Sequence, residues 1–197
     1  MGAGESRHQN TTGEDIIYPI IAPTLDHART LYWERLKLIF GSADYIAHKD
    51  ESRSTIRLKN NSVIMLYGSD KNPDKLRGIK NGGFIVDEVD SIRNWDTLWQ
   101  EVIRPSTTDL QAPGLFIGTP KGYSNLFRMS EMEKKDADYK AFHYTSYDNP
   151  FLPKEEIEKA KLELDEDSFG QEYLAEYKHF TGLVYKDFKR EKHVISP

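Results

Sequence analysis

The sequence predicts an α/β fold, a mostly parallel sheet flanked by helices, and two observations carry that prediction. The runs "IIYPIIA", "FIV" and "GLFIG" are short and continuously apolar, the pattern of strands buried on both faces. Between and after them lie stretches with a helical apolar period, so strands alternate with helices along the chain. With 197 residues the chain is long enough for one domain with a sizeable core, or one domain and a small appendage.

Taken in order, residues 1–15 are polar, lack an apolar period and read as an unstructured leader. "IIYPIIAPT" is the first strand. Pro19 within it removes a backbone donor, which argues for an edge position or a bulge. Thr24 can cap the next helix, whose one face gathers Leu25, Ala28, Leu31, Tyr32, Leu36 and Ile39, with Gly41 as its end. "STIRLKNNSVIMLYG" reads as a β-hairpin. Ile56 and Leu58 alternate with Arg57 and Lys59, Asn60-Asn61 turns the chain, and Val63, Met65 and Tyr67 continue the alternation.

A loop rich in Asp, Asn, Pro and Gly leads into the strand "FIV". A helix over "WDTLWQEVI" follows, ending before Pro105, and "GLFIG" is a further buried strand. The last third is helical. Ile157, Ala160, Lys161 and Leu164 share a face, and Ser168 with Gln171 matches a capping box opening "FGQEYLAEY". Thr181-Gly182 then turns the chain into the short apolar segment "LVYKDF".

Composition bounds the chemistry. The absence of cysteine excludes disulfides, thiolate metal sites and cysteine nucleophiles. No stretch is apolar enough to cross a bilayer, which points to a soluble, intracellular protein with no membrane partner. The net charge of −5 means that any nucleic-acid contact is local or shared with other chains. The late cluster Lys186, Lys189, Arg190 and Lys192 alternates with acids and reads as a solvated tail. The six histidines are spread without helical ligand spacing, and acids such as Glu155, Glu156 and Asp187 form no metal-binding pattern.

The segment "GGFIVDEVDS" sets two carboxylates directly after a buried run. Asp87 and Glu88 thus fall at the C-terminal end of a strand, the edge of a parallel sheet where ligands bind. In nucleotide hydrolases an Asp there supports Mg²⁺ through water, and the next Glu orients or deprotonates the attacking water. The pair alone is also compatible with an ordinary strand-to-loop transition. The second strand ends comparably: Gly118 permits close approach, Thr119 offers a hydroxyl and Pro120 turns the chain. Arg77, in the loop "KLRGIKNGG", is an arginine able to neutralise phosphate charge.

The ordered set "IIAPT", "LRG", "FIVDEVD", "VIRPS", "GLFIGTPKGYSNLF", "HYTSYDNPFL", "FGQEYLAEY" and "TGLVY" resembles the large subunit of tailed-bacteriophage terminases, the motor that packages DNA, from about Ile16 to Tyr185. The resemblance implies a P-loop NTPase-type sheet, with a partial ATPase core over 16–150 and a helical lid and linker over 151–197. It makes Asp87 and Glu88 the Walker B pair, with Asp87 the Mg²⁺ residue. Gly118, Thr119 and Pro120 become the element coupling hydrolysis to movement, and Arg77 a contact near the nucleotide. ATP and Mg²⁺ are the implied cofactors. The implied partners are double-stranded DNA, the terminase small subunit, the portal and sibling large subunits, in the host cytoplasm.

The sequence departs from that pattern in one respect. No Gly-Lys-Ser/Thr occurs in the 197 residues, and "GAGES" near the start has only the glycines. We therefore expect a truncated motor lacking the phosphate loop and the nuclease domain, with little or no ATP hydrolysis alone. We also expect an exposed apolar sheet edge beside "GLFIG". The alternatives are a non-catalytic remnant or assembly module, and a helicase-like NTPase fragment suggested by "DEVD".

Overall fold

The computed structural model describes residues 13–40 and 45–177. Residues 1–12 of the expected leader, Gly41, the segment "TGLVYKDF" and the late basic cluster lie outside the described residues. The chain divides into two compact units, the first ending at Gly118 and the second beginning at Thr119.

The first unit is built on six strands: β1 (Ile16–Ala22), β2 (Ile46–Asp50), β3 (Thr55–Leu58), β4 (Ser62–Gly68), β5 (Phe84–Val86) and β6 (Gly114–Phe116). Their order across the sheet is β2-β3-β4-β1-β5-β6. β4, β1, β5 and β6 run parallel, and the β3–β4 and β2–β3 pairs are antiparallel. The hairpin expected from "STIRLKNNSVIMLYG" is β3–β4, with Asn61 in the left-handed conformation at its turn. β2 was not legible: its pattern is mostly exposed, as suits a short edge strand held by one neighbour.

Pro19 corrects the edge expectation, because β1 is paired on both sides. Ile17 N–H donates to Lys80 O (2.8 Å) and Gly82 N–H to Ile17 O (3.0 Å), so odd-numbered residues of β1 face β5. Between that bridge and the Ile20–Ile85 pair the β1–β5 ladder is interrupted, and the donor that Pro19 lacks would point into this gap. A proline is tolerated in a buried strand because no ladder partner waits there.

Helix α1 (25–39) covers one face of the sheet. Thr24 caps it, its Oγ1 accepting from His27 N–H at 3.1 Å. The helix contains a π turn, Arg29–Trp33, which adds one residue to a turn. The buried face therefore steps from Ala28 to Trp33 and Leu36, with Tyr32 only half-buried. Ile39, expected on that face, is 72% exposed. Ala28, Trp33 and Leu36 pack with Ile20, Ala22, Ile56 and Leu66. Arg29 ties the start of the π turn to the β2–β3 turn, donating to Ser54 Oγ and to the carbonyls of Glu51 and Ser52.

Helix α2 (95–106) belongs with the opposite face. Trp95 and Trp99 stack with ring centroids 6.1 Å apart, and both meet Phe116 edge-on. Phe84 completes this aromatic cluster, its ring lying against Gly114, where any side chain would collide with it. Most of α2 is also wound as a π-helix, Thr97–Ile103. Pro105 lies inside the last turn rather than after it. It brings no N–H back to the preceding turn, and the carbonyl of Glu101, four residues earlier, accepts from Arg77 Nη1 at 3.0 Å instead.

β6 corrects the expectation of a buried strand. It ends the sheet, and Leu115 and Ile117 are 48% and 40% exposed. The exposure is on the face that α1 covers only in part. There Tyr18, Ile64, Ile85, Leu115, Leu36 and Phe40 line an apolar groove of about 570 Å³.

The second unit is helical among its described residues: α3 (Asn125–Ser130), α4 (Lys154–Glu163) and α5 (Glu166–Leu174), with short 3-10 turns. Ile157 of α4 and Phe169 of α5 are buried, whereas Lys161 and Leu164 are exposed, so the expected apolar face of α4 is narrower than its spacing suggested. The capping box expected at Ser168 and Gln171 is absent. Asp165 caps α5, accepting from Asp167 and Ser168 N–H, and a capping box occurs instead at Thr145 and Asp148. Each cap satisfies the orphan N–H groups of its own helical turn.

Ile21 is fully buried on the α2 side of β1. Ile21→Ala should lower the unfolding free energy by about 2–5 kcal/mol in urea titration. Leu38→Ala, at a position 82% exposed, should change it by no more than about 0.5 kcal/mol.

Candidate functional site

Parallel pairing brings three strand ends together. Val86 is in register with Ile21 of β1 and Phe116 of β6. Past those pairs Asp87 N–H donates to Ile21 O (2.8 Å), Ile117 N–H to Val86 O (2.9 Å) and Val89 N–H to Ile117 O (3.2 Å). The acidic pair is thus fastened on both sides as it leaves the sheet. Side chains alternate along β5, so Asp87 falls on the α1 face.

Asp87 is 6% exposed. Its Oδ2 accepts from the Tyr32 hydroxyl at 2.6 Å and its Oδ1 from Glu88 N–H at 3.0 Å. No ion pair reaches it among the described residues. Tyr32 comes from the π turn of α1. Burial, and then the bond to Asp87, push its phenol well above the usual tyrosine range, so it stays a donor through neutral and alkaline pH.

Glu88 is half-buried and left-handed, at φ 50° and ψ 48°. The reversal makes the next residues a 3-10 turn, Val89–Ser91, closed by Ser91 N–H donating to Glu88 O at 2.8 Å. A non-glycine residue held there stores about 1 kcal/mol of strain, of the kind that persists at functional positions. Gly118 lies against this turn. A Cβ on it would stand 3.3 Å from Val89 N and 3.4 Å from the Glu88 Cα, so glycine permits the close approach.

Of the other expected site residues, Thr119 begins the second unit. Arg77 is bound elsewhere, to Asp74 Oδ1 (2.6 Å), Glu101 Oε2 (3.0 Å) and the Glu101 carbonyl. It lines a polar cavity of about 500 Å³ with Glu14, Lys80, Ser106 and Asp109. The structure therefore joins Asp87, Glu88 and Gly118, and holds Arg77 by other partners. Tyr32 was missed as a site residue. Its spacing marked it as packing, and its bond spans 55 residues of sequence.

No protein-family profile matches the chain. It is 24% identical over 178 residues to the terminase large subunit of Escherichia phage T5, covering 89% of this chain and 40% of that protein. A point variant of the large terminase ATPase domain from Thermus phage P74-26 superposes with a TM-score of 0.67 at 25% identity, covering 83% of this chain and 77% of that domain. The chain is related to phage large terminases. Its fold is also that of the large terminase of a thermophilic bacteriophage solved in complex with ADP, with a TM-score of 0.69 and 21% identity, covering 95% of this chain and 47% of that one. The terminase-like chain thus spans less than half the length of the whole large terminases it matches, and about three-quarters of the ATPase domain. Among its described residues no helix is long and apolar enough to cross a membrane, and no three ligating side chains cluster as a metal site.

Relief of the left-handed strain sets an expected result. Glu88→Gly should leave the thermal midpoint unchanged or raise stability by up to about 1 kcal/mol in calorimetry. A clear loss of stability would show that the Glu88 side chain, rather than the backbone turn, holds this segment.

Proposed function

We propose that this chain is the part of an ATP-driven DNA-packaging motor that carries the water-activating acids. One observation carries the reading: Asp87 and Glu88 leave the sheet at the C-terminal end of β5, fastened to the end of β6. The donor set fits a hard cation. Asp87 is a buried carboxylate without a counter-ion among the described residues, its two oxygens held by neutral donors. With no third ligating side chain at hand among those residues, such a cation would be gripped chiefly by phosphate.

Mg-ATP, when bound, supplies the phosphoryl group and the divalent charge. Asp87 is the residue that would hold the cation, through water. Glu88 accepts a proton from, or orients, the attacking water, and its half-exposed position leaves room for one. Gly118 and Thr119 begin the connection that transmits the outcome onward, and residues 151–197 serve as lid and linker. For Arg77 to approach a nucleotide it must leave Asp74 and Glu101.

The phosphate grip is proposed to come from a Gly-Lys-Ser/Thr loop outside these 197 residues. The edge of β6, unpaired among the described residues, and the apolar groove beside it suit a strand and its following helix. Double-stranded DNA, the small subunit, the portal and sibling chains are the proposed partners, in the host cytoplasm. The net charge of −5 confines any DNA grip to a local surface.

The second reading is an assembly module without turnover. The test combines the chain with a phosphate-loop segment of a related large terminase, fused or added in trans, and measures ATP hydrolysis. We expect turnover that Glu88→Gln lowers by about 10²–10⁴-fold. Turnover indifferent to Glu88, or none with either arrangement, would support the second reading.

A further inference from the structure

Among the described residues, Tyr32 is the one neutral side chain that holds Asp87 from outside its own strand. Its hydroxyl donates to Oδ2 at 2.6 Å while Glu88 N–H donates to Oδ1 at 3.0 Å, so one contact on each oxygen fixes the plane of the carboxylate. The contact depends on an irregularity. The π turn Arg29–Trp33 puts Trp33, five residues after Ala28, into the core and leaves Tyr32 half-buried beside the end of β5. π turns concentrate at functional sites, and this one is anchored at its first residue by three bonds from Arg29 to the β2–β3 turn.

We propose that Tyr32 is a positioning residue for the metal-side carboxylate, holding Asp87 in the orientation in which its free lone pairs face a hydrated divalent cation. The proposal rests on the reading of Asp87 given under Proposed function. A tyrosine suits the task better than a cation would, since it orients the carboxylate without neutralising it. Partners of this kind, one bond behind the group that meets the metal, typically change metal affinity by about 10–100-fold when removed.

The test uses the ATPase-competent protein, this chain with its phosphate-loop segment. Mn²⁺ affinity is measured by electron paramagnetic resonance in the presence of ATP-gamma-S, and Mg²⁺ dependence by ATP turnover. Tyr32→Phe keeps the ring and removes the hydroxyl; Tyr32→Leu removes both; Asp87→Ala is the reference. We expect Tyr32→Phe and Tyr32→Leu to weaken Mn²⁺ binding alike, by about tenfold or more. The Mg²⁺ concentration for half-maximal turnover should rise in parallel, with kcat at saturating metal falling less than about threefold. Thermal midpoints should separate the two variants, since only Tyr32→Leu loses packing.

If Asp87→Ala abolishes metal binding and Tyr32→Phe binds like the parent, the positioning role is overturned and the reading of Asp87 stands. A loss confined to Tyr32→Leu overturns it too, by assigning the effect to ring packing. If Asp87→Ala binds Mn²⁺ normally, or the parent protein binds none, the reading of Asp87 fails and the positioning role fails with it.

Discussion

The in-register pairing of β5 with β1 on one side and β6 on the other is the constraint on which the site depends. β5 has only three residues of regular strand, too few to define a direction alone. Locked between two parallel neighbours, it delivers Asp87 to a buried place at the sheet's C-terminal edge. The backbone bonds of Asp87 and Val89 to Ile21 and Ile117 then set where the turn at Glu88 begins. The aromatic cluster of Phe84, Trp95, Trp99 and Phe116 stabilises the same pairing from the α2 side.

Much of this was legible in sequence, for a physical reason. Buried parallel strands need continuous apolar runs, and acids that interrupt such a run must lie at its end. "FIVDEVD" therefore placed Asp87 and Glu88 at a strand end, as the structure has them. The hairpin was equally plain, because alternation and an Asn-Asn turn are local signals. β2 was invisible, since an exposed edge strand carries no apolar signature. Pro19 misled because the rule against proline in central strands assumes an uninterrupted ladder, and here the ladder has a gap.

The helices show a different limit. Residue spacing assumes 3.6 residues per turn, and both α1 and α2 contain π segments. One added residue exchanged Tyr32 for Trp33 in the core, which is why the face read from sequence contained Tyr32 and Ile39. The bond of Tyr32 to Asp87 became visible only in the fold, its partner lying 55 residues away. Likewise nothing local to "KLRG" said that Arg77 would serve a helix end.

That last contact joins the loop to the helix. Arg77 is at once a cation of the loop and a surrogate for the amide hydrogen that Pro105 cannot provide. Retracting the guanidinium toward another anion strips a donor from the final turn of the helix bearing Trp95 and Trp99. The loop and that helix are therefore coupled through one side chain, and losing its contact would leave the Glu101 carbonyl without this donor.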